Sequence, residues 1–397
     1  MVSSPMPANG LDPIYLDHAA TTPVREEVRE AMRPFLGASF GNPSSTHRWG
    51  REARAALDEA RERVARTLGA RTDEICFTSG GTEADNMAVL GIWRALRKKG
   101  RGACVCTPIE HKAVLGAAHQ VEAEGGDVRM LEVSGDGTVR TDSARDALRD
   151  DVAVCSVMWV NNETGVIQPV PEIAALTKAA GAIFHTDAVQ AFGKVDIDAS
   201  RQQFDALSIS GHKICAPKGI GALFIRRGTP LDPIMHGGSQ DRGRRPGTEN
   251  VAAAVGLACA AELVVAERER EDERLRKLRD ELERAIVERV PDAVIHGRGA
   301  PRAPHILSVS IPGTDSESLL MALDLKGVAA SGGSACQSGS ASGSHVLKAM
   351  GVRPELASAV IRMSLGCLTT DDCVRRVAEV FPALVAKARS MADSTPS

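Results

Sequence analysis

What most constrains this 397-residue chain is an alternation, running through its first two-thirds, of short apolar runs with longer amphipathic stretches. The runs EICFTS, GACVCT, VRMLEV, VAVCSVMWV, AIFHT, ALSIS and GALFI read as strands. Between them, residues 45–68, 82–98, 111–124 and 173–180 carry helical patterns. Strands that alternate with helices form a mainly parallel sheet covered on both faces. The pattern therefore predicts an α/β fold whose large domain holds a seven-stranded sheet.

The texture changes after residue 250. Residues 252–290 read as mostly helical, with Leu275, Leu278, Leu282 and Ile286 at helical spacing and a charge run on the opposite, solvated face. A smaller α/β unit follows: a strand in HILSVSI, a helix in DSESLLMALDLK and a strand in VIRMSL. A final helix over residues 371–390 is expected to bend at Pro382. No internal repeat is present.

The bulk properties exclude several classes. Net charge is −3 with both signs interspersed, so nothing favours nucleic acid or an anionic membrane surface. No apolar run approaches the roughly 20 residues of a membrane helix. The first residues, MVSSPMPANGLDP, lack a basic start and apolar core, so no signal peptide is expected. Nine scattered cysteines without a framework point to reduced thiols and a cytoplasmic location. Cys104 and Cys106 share one strand face, where packing is favoured over metal binding. No metal site is expected.

In open α/β sheets ligands lie beyond the carboxyl ends of the strands. After EICFTS, Gly80 and Gly81 permit a tight turn and Thr82 opens a helix, which suits a phosphate or ordinary capping. After AIFHT come Asp187 and Gln190, a held charge or a helix cap. After ALSIS come Ser210, His212 and Lys213. A lysine in a partly dry crevice becomes a nucleophile towards carbonyls, whereas a surface lysine would merely snorkel. A phosphate-type turn, an acid and a lysine on neighbouring strand ends together match pyridoxal phosphate. His111 in TPIEHKAV and Asn161 and Asn162 in WVNNETG fit the same ligand, or equally a loop histidine and an asparagine turn.

The motifs YLDHAATTP, FGNPSSTH, FTSGGTEADN, EHKAV, VNNETG, TDAVQ, SGHKICAPKGIGAL, MHGGSQDRGRRPGTEN, SGGSACQSGS and IRMSLG stand in one order across residues 15 to about 384. In that order the chain resembles the cysteine desulfurases of the IscS/NifS type, class V aminotransferases of the pyridoxal-phosphate-dependent fold type I. The resemblance implies residues 15–255 as a large cofactor-binding domain. Residues 256–397, packed with residues 1–14, would form a smaller C-terminal α/β domain. It further implies Lys213 as the Schiff-base lysine, Asp187 as partner of the ring nitrogen, Gln190 on the ring hydroxyl and His111 over the ring as proton carrier. Gly81, Thr82, Ser210 and His212 would hold the phosphate, with Thr248 reaching in from a second subunit of a homodimer. Asn161 and Arg362 would bind the carboxylate of L-cysteine, Arg362 by a bidentate fork or, in the plain alternative, as a structural ion pair.

The segment SGGSACQSGSASGS, residues 331–344, holds only Ser, Gly and Ala apart from Cys336 and Gln337. Such a composition cannot bury enough apolar surface to offset its ordering entropy, so the sequence predicts a mobile tether. A tethered thiol has a high effective concentration at a site it can reach. By the resemblance, Cys336 takes the substrate sulfur as a persulfide and delivers it to an acceptor, such as an iron–sulfur scaffold protein. The family's usual SGSAC reads GGSAC here, the next residue is Gln337, and the tail ends early. These departures leave the acceptor open. The rival readings are a selenocysteine or cysteine lyase of the same fold, which would not need Cys336, and a non-catalytic homodimeric scaffold, which would not need Lys213. A nicotinamide dehydrogenase lacks its glycine fingerprint.

Overall fold

A computed structural model describes residues 12–333 and 343–393. In chain order the strands are β1 (Ile14–Tyr15), β2 (Ile75–Thr78), β3 (Ala103–Cys106), β4 (Asp127–Met130), β5 (Val152–Ser156), β6 (Ile183–Asp187), β7 (Ala206–Ser210), β8 (Gly221–Ile225), β9 (Val294–Ile295), β10 (Ile306–Ser310), β11 (Val328–Ala329) and β12 (Val360–Ser364). Seven of them form one sheet in the order β2-β8-β7-β6-β5-β3-β4. Its members from β4 to β7 run parallel, and β8 lies antiparallel to both neighbours. The seven strands are those legible in the sequence.

Alternation along each strand sorts side chains to two faces. Phe77, Val105, Phe184, Leu207 and Phe224 bury one face against helices Arg48–Thr67, Val170–Ala179 and Val251–Ala266. Cys76, Cys104, Cys106, Ala206 and Leu223 bury the other against Met87, Trp93, Val114 and Val121. Cys104 and Cys106 thus pack on one face, and no metal-ligand group among the described residues includes them. The helix after β2 runs as Gly81–Asn86, a π-helical turn Met87–Gly91, and Ile92–Arg97.

A second core gathers Leu275, Leu278, Leu282 and Ile286 with Leu307, Val309, Ile361, Val377 and Phe381 around the antiparallel sheet β12-β10-β9. Ile14 and Leu16 belong to this core, and β1 pairs with β11. β1, β9 and β11, at two residues each, are too short to give a periodic signal. The helical stretch expected over 252–290 divides at Glu267 into Val251–Ala266 and Arg268–Arg289. Helix Asp371–Asp393 continues through Pro382. Among the described residues no helix is long and apolar enough to cross a membrane.

Gly221 shows how closely the sheet is drawn together at its functional end. It stands opposite Thr78 on one side and Ser210 on the other. A Cβ there would lie 2.5 Å from the Ile209 oxygen and 2.8 Å from Gly80 Cα, both backbone atoms that cannot swing away. Gly221→Ala is therefore expected to cost about 1–3 kcal/mol through overpacking. A lower urea midpoint at unchanged slope checks it.

Candidate active site

Five strand ends and one strand of the second unit converge on a single cleft of about 260 Å³. Its wall includes Gly81, Thr82, Asp85, His111, Asn162, Asp187, Gln190, Ser210, His212, Lys213 and Arg362. Most of the residues singled out from the sequence are thus brought together. Asn161 is instead spent on its own turn and on the Ile109 carbonyl beside it. Its Nδ2 donates to the Ile109 oxygen at 3.0 Å, and its Oδ1 accepts from the amides of Glu163 and Thr164. The neighbouring Asn162 lines the cleft. Thr248 is not on this wall, and Cys336 lies outside the described residues. The loop before Thr248 folds onto its own chain, with Asp241 paired to Arg61 at 2.6 Å and Arg245 to Glu83 at 2.9 Å.

Lys213 ends a short 3-10 turn, Gly211–Lys213, directly after β7. Its Nζ donates to the carbonyls of Ala19 and Ala20 at 2.6 and 2.7 Å. The same N-terminal segment receives Gln190, whose Nε2 donates to the Ala19 oxygen at 2.9 Å, and His212, whose Nδ1 lies 3.2 Å from Thr21 Oγ1. Burial, reinforced by the Lys213 and Lys218 charges, lowers His212 to about 4, so it is neutral at physiological pH. His111 caps helix Lys112–Ala123 by accepting from the Ala113 amide at its Nδ1. That bond places the proton of the neutral ring on Nε2. Burial, its largest influence, holds His111 below the usual imidazole range against the pull of Asp187.

At the floor of the cleft, Asp187 Oδ1 accepts from the Val189 amide at 2.8 Å. Burial raises the Asp187 carboxyl although His111 and Lys213 oppose the rise. A second carboxyl, Asp85, faces it. Ligand atoms of Asp85, His111 and Asp187 all lie within 4.8 Å of one another. Asp85 is 1% exposed, and its Oδ1 has no partner among the described residues, the nearest base being His185 Nε2 at 3.7 Å. Burial and then the Asp187 charge push Asp85 well above the carboxylate range. Two carboxyls so placed cannot both ionise cheaply. A ring nitrogen carrying a proton is the partner such a floor lacks, which fits pyridoxal phosphate.

The other end of that molecule fits as well. Gly80 adopts φ +157°, open to glycine. A Cβ on Gly81 would meet Val189 Cγ2 at 2.8 Å. Backbone amides can therefore approach an anion at the opening turn of the helix beside Thr82, Ser210 and His212. Arg362, on β12 and 1% exposed, donates from Nη2 to Asp17 Oδ1 at 3.0 Å and from Nη1 to the Asn162 oxygen at 2.8 Å. Its buried Nε has no partner among the described residues. A guanidinium so fixed suits a substrate carboxylate.

Sequence reading did not single out Asp17, Asp85 and Glu110, and of Asn161 and Asn162, both of which it offered, the cleft takes Asn162. Asp85 follows Thr82 by three residues, a spacing that puts both on one helix face. Glu110 is fully buried next to His111. Its Oε1 accepts from Thr107 Oγ1 at 2.7 Å and from the Met158 amide at 2.9 Å, while Oε2 has no partner among the described residues. Burial raises it to about 8.

The model of the family described as aminotransferase class-V matches residues 14–377. The chain is 45% identical over 378 residues to a protein named cysteine desulfurase IscS from Dictyoglomus turgidum, covering 95% of this chain and 96% of that one. It is 46% identical over 383 residues to the protein of the same name from Methanosarcina thermophila, covering 96% and 94%. A solved structure described as a NifS-like protein superposes with a TM-score of 0.88 at 34% identity, over 94% of this chain and all of that one.

Glu110 gives a pH test with a defined sign. Its folded value, about 8, exceeds the unfolded one near 4.5. Between those values the folded chain holds a proton that the unfolded chain lacks, so this contribution is most favourable in acid and is lost as pH rises. Relative to the non-titrating Glu110→Gln variant, wild-type stability is expected to fall between pH 5 and 8 by on the order of 1 kcal/mol per pH unit. Urea unfolding of both chains across that range checks it.

Proposed function

The chain belongs to the aminotransferase class-V family, among its pyridoxal-phosphate-dependent cysteine desulfurases, and we propose that it converts L-cysteine to L-alanine while moving the sulfur to Cys336. The observation that carries this reading is the juxtaposition, in one cleft, of Lys213, the buried acid Asp187 and the buried Arg362, whose Nε has no partner among the described residues. Pyridoxal phosphate, when bound, supplies an electron sink that stabilises charge at the substrate's α-carbon. Gly81, Thr82, Ser210 and His212 would hold its phosphate, Asp187 its ring nitrogen, Gln190 its hydroxyl and Lys213 its aldehyde carbon.

The chain's own residues then have separable tasks. Arg362, fixed by Asp17 and the Asn162 carbonyl, grips the substrate carboxylate. The Lys213 amine accepts the α-proton and returns a proton to carbon. His111, neutral and protonated on Nε2, exchanges a proton with the substrate thiol or with Cys336. The Cys336 thiolate attacks the substrate sulfur, the Cβ–S bond breaks, and the sulfur stays on the enzyme as a persulfide while the carbon skeleton leaves as alanine. A homodimer in which Thr248 completes the neighbouring phosphate site and an acceptor protein that collects the persulfide sulfur belong to the same reading. The division between domains falls at Glu267 rather than 255, because helix Val251–Ala266 packs on the large sheet. Asn161 supports the turn that presents Asn162 rather than touching substrate.

Mass spectrometry after incubation with L-cysteine is expected to find one added sulfur on the peptide bearing Cys336. Cys336→Ala should abolish that adduct and keep the cofactor absorbance. Unchanged alanine release by that variant would instead assign a lyase. Lys213→Ala is expected to lose the absorbance band of the lysine-bound cofactor, and its survival would sink the assignment. Arg362→Ala is expected to lose about 2–5 kcal/mol of carboxylate binding, a fall in kcat/KM of order 10²-fold or more carried mainly by KM.

A further inference from the structure

Lys213 also borders a second cavity, whose lining includes His18, Lys194, Cys215, His305 and Cys367 but not Asp187. Two thiols meet there. Cys215 Sγ lies 3.8 Å from Cys367 Sγ, although the residues are 152 apart in sequence. Cys215 follows Lys213 by two residues and holds a left-handed φ of +65°. Its amide donates to Thr22 Oγ1 at 2.8 Å, and its carbonyl accepts from the Arg25 amide at 3.2 Å. Cys367 comes three residues after β12, and the preceding carbonyl, Gly366, accepts from Arg274 Nη2 at 3.0 Å. Both backbones are anchored so that the sulfurs face each other.

The surroundings favour reaction. Cys367 is exposed, so small solutes reach the pair. The Cys367 hydrogen bond, aided by the Lys194 and Arg25 charges, holds the Cys215 thiol below its usual range against the opposing effect of burial. The strand thiols Cys104 and Cys155 go the other way, raised first by burial. The contact with Cys215, and then burial, raises the Cys367 thiol, so Cys215 is the nucleophile of the pair and the exposed Cys367 its route to solvent.

We propose that Cys215 and Cys367 form an oxidisable dithiol site, separate from Cys336, that accepts a two-electron oxidant of the persulfide or peroxide class and closes into a disulfide behind Lys213. With a small persulfide RSSH, the Cys215 thiolate attacks the outer sulfur and RS⁻ leaves, taking a proton. Cys367, on losing its proton, attacks the inner sulfur of the new Cys215 persulfide, and HS⁻ leaves. The balance is one RSSH and two thiols to one RSH, one H₂S and one disulfide. With hydrogen peroxide the thiolate takes oxygen to give a sulfenic acid and water, and Cys367 displaces a second water. In both cases the two thiols supply two electrons. Closure from 3.8 Å to a bonded S–S of about 2 Å draws the Lys213 turn towards the segment that follows Arg362. The persulfide source and the effect on turnover rest on the proposed desulfurase reading. The disulfide itself does not.

The test treats reductant-free holoenzyme with hydrogen peroxide in one arm and cysteine persulfide in the other, followed by alkylation, digestion and mass mapping. A cross-link between peptides 214–218 and 363–375, reversed by dithiothreitol, is expected in both arms, and appearance in one arm alone assigns the site to that oxidant. Alanine production and the cofactor absorbance are expected to change together, activity falling by up to about 10²-fold, as displacement of a reacting group by about 1 Å can cause. Cys367→Ser should keep basal activity and lose the sensitivity. Cys215 ending as a sulfinic acid without cross-link, or Cys367 bonded to Cys373, overturns the proposal. A cross-link in an inactive enzyme would count against the desulfurase reading and leave the dithiol site standing.

Discussion

The site depends on one short segment being shared by two cores. Residues 14–16 are bound into the second unit through β1 and the burial of Ile14 and Leu16. Within six residues the same backbone crosses to the first unit, where Ala19 and Ala20 receive the Lys213 amine and Thr22 receives the Cys215 amide. Asp17 lies between and orients Arg362. The lysine on one unit and the arginine on the other are thus set by a common strap. A change in the register of β1 would disturb both.

The floor of the cleft imposes a second constraint, electrostatic rather than geometric. Asp85, Asp187 and Glu110 are all buried, and each is raised chiefly by the loss of water. His185, bonded to Ser156 and Ser208, is lowered to about 3 by the same cause and adds no charge to relieve them. The arrangement is costly for the empty chain and well suited to a cationic ring nitrogen. This is how a fold stores affinity for one ligand.

The seven strands of the large sheet were legible because six are short, fully or nearly fully buried runs ended by turn residues, and the seventh, the edge strand β4, is bounded by a glycine pair and a turn. Lys213, Asp187, His111 and Arg362 were legible because ligands of such sheets collect at strand ends and because several motifs stood in family order. What escaped had weak local signals. β1 and β11 are defined by each other from distant parts of the chain, and β9 by two residues beside β10, not by periodicity. Asp85 and Glu110 look like helix-terminal acids until burial is known. Asn161 and Asn162 are adjacent and chemically identical, and only the turn's hydrogen bonds decide which one is free to face a ligand.

Arg362 belongs to a strand of one core while leaning on the Asn162 carbonyl of the other. A carboxylate seated on that guanidinium would therefore be held in common by both units. Occupancy should then add its binding free energy to the cohesion between the units and stabilise both together.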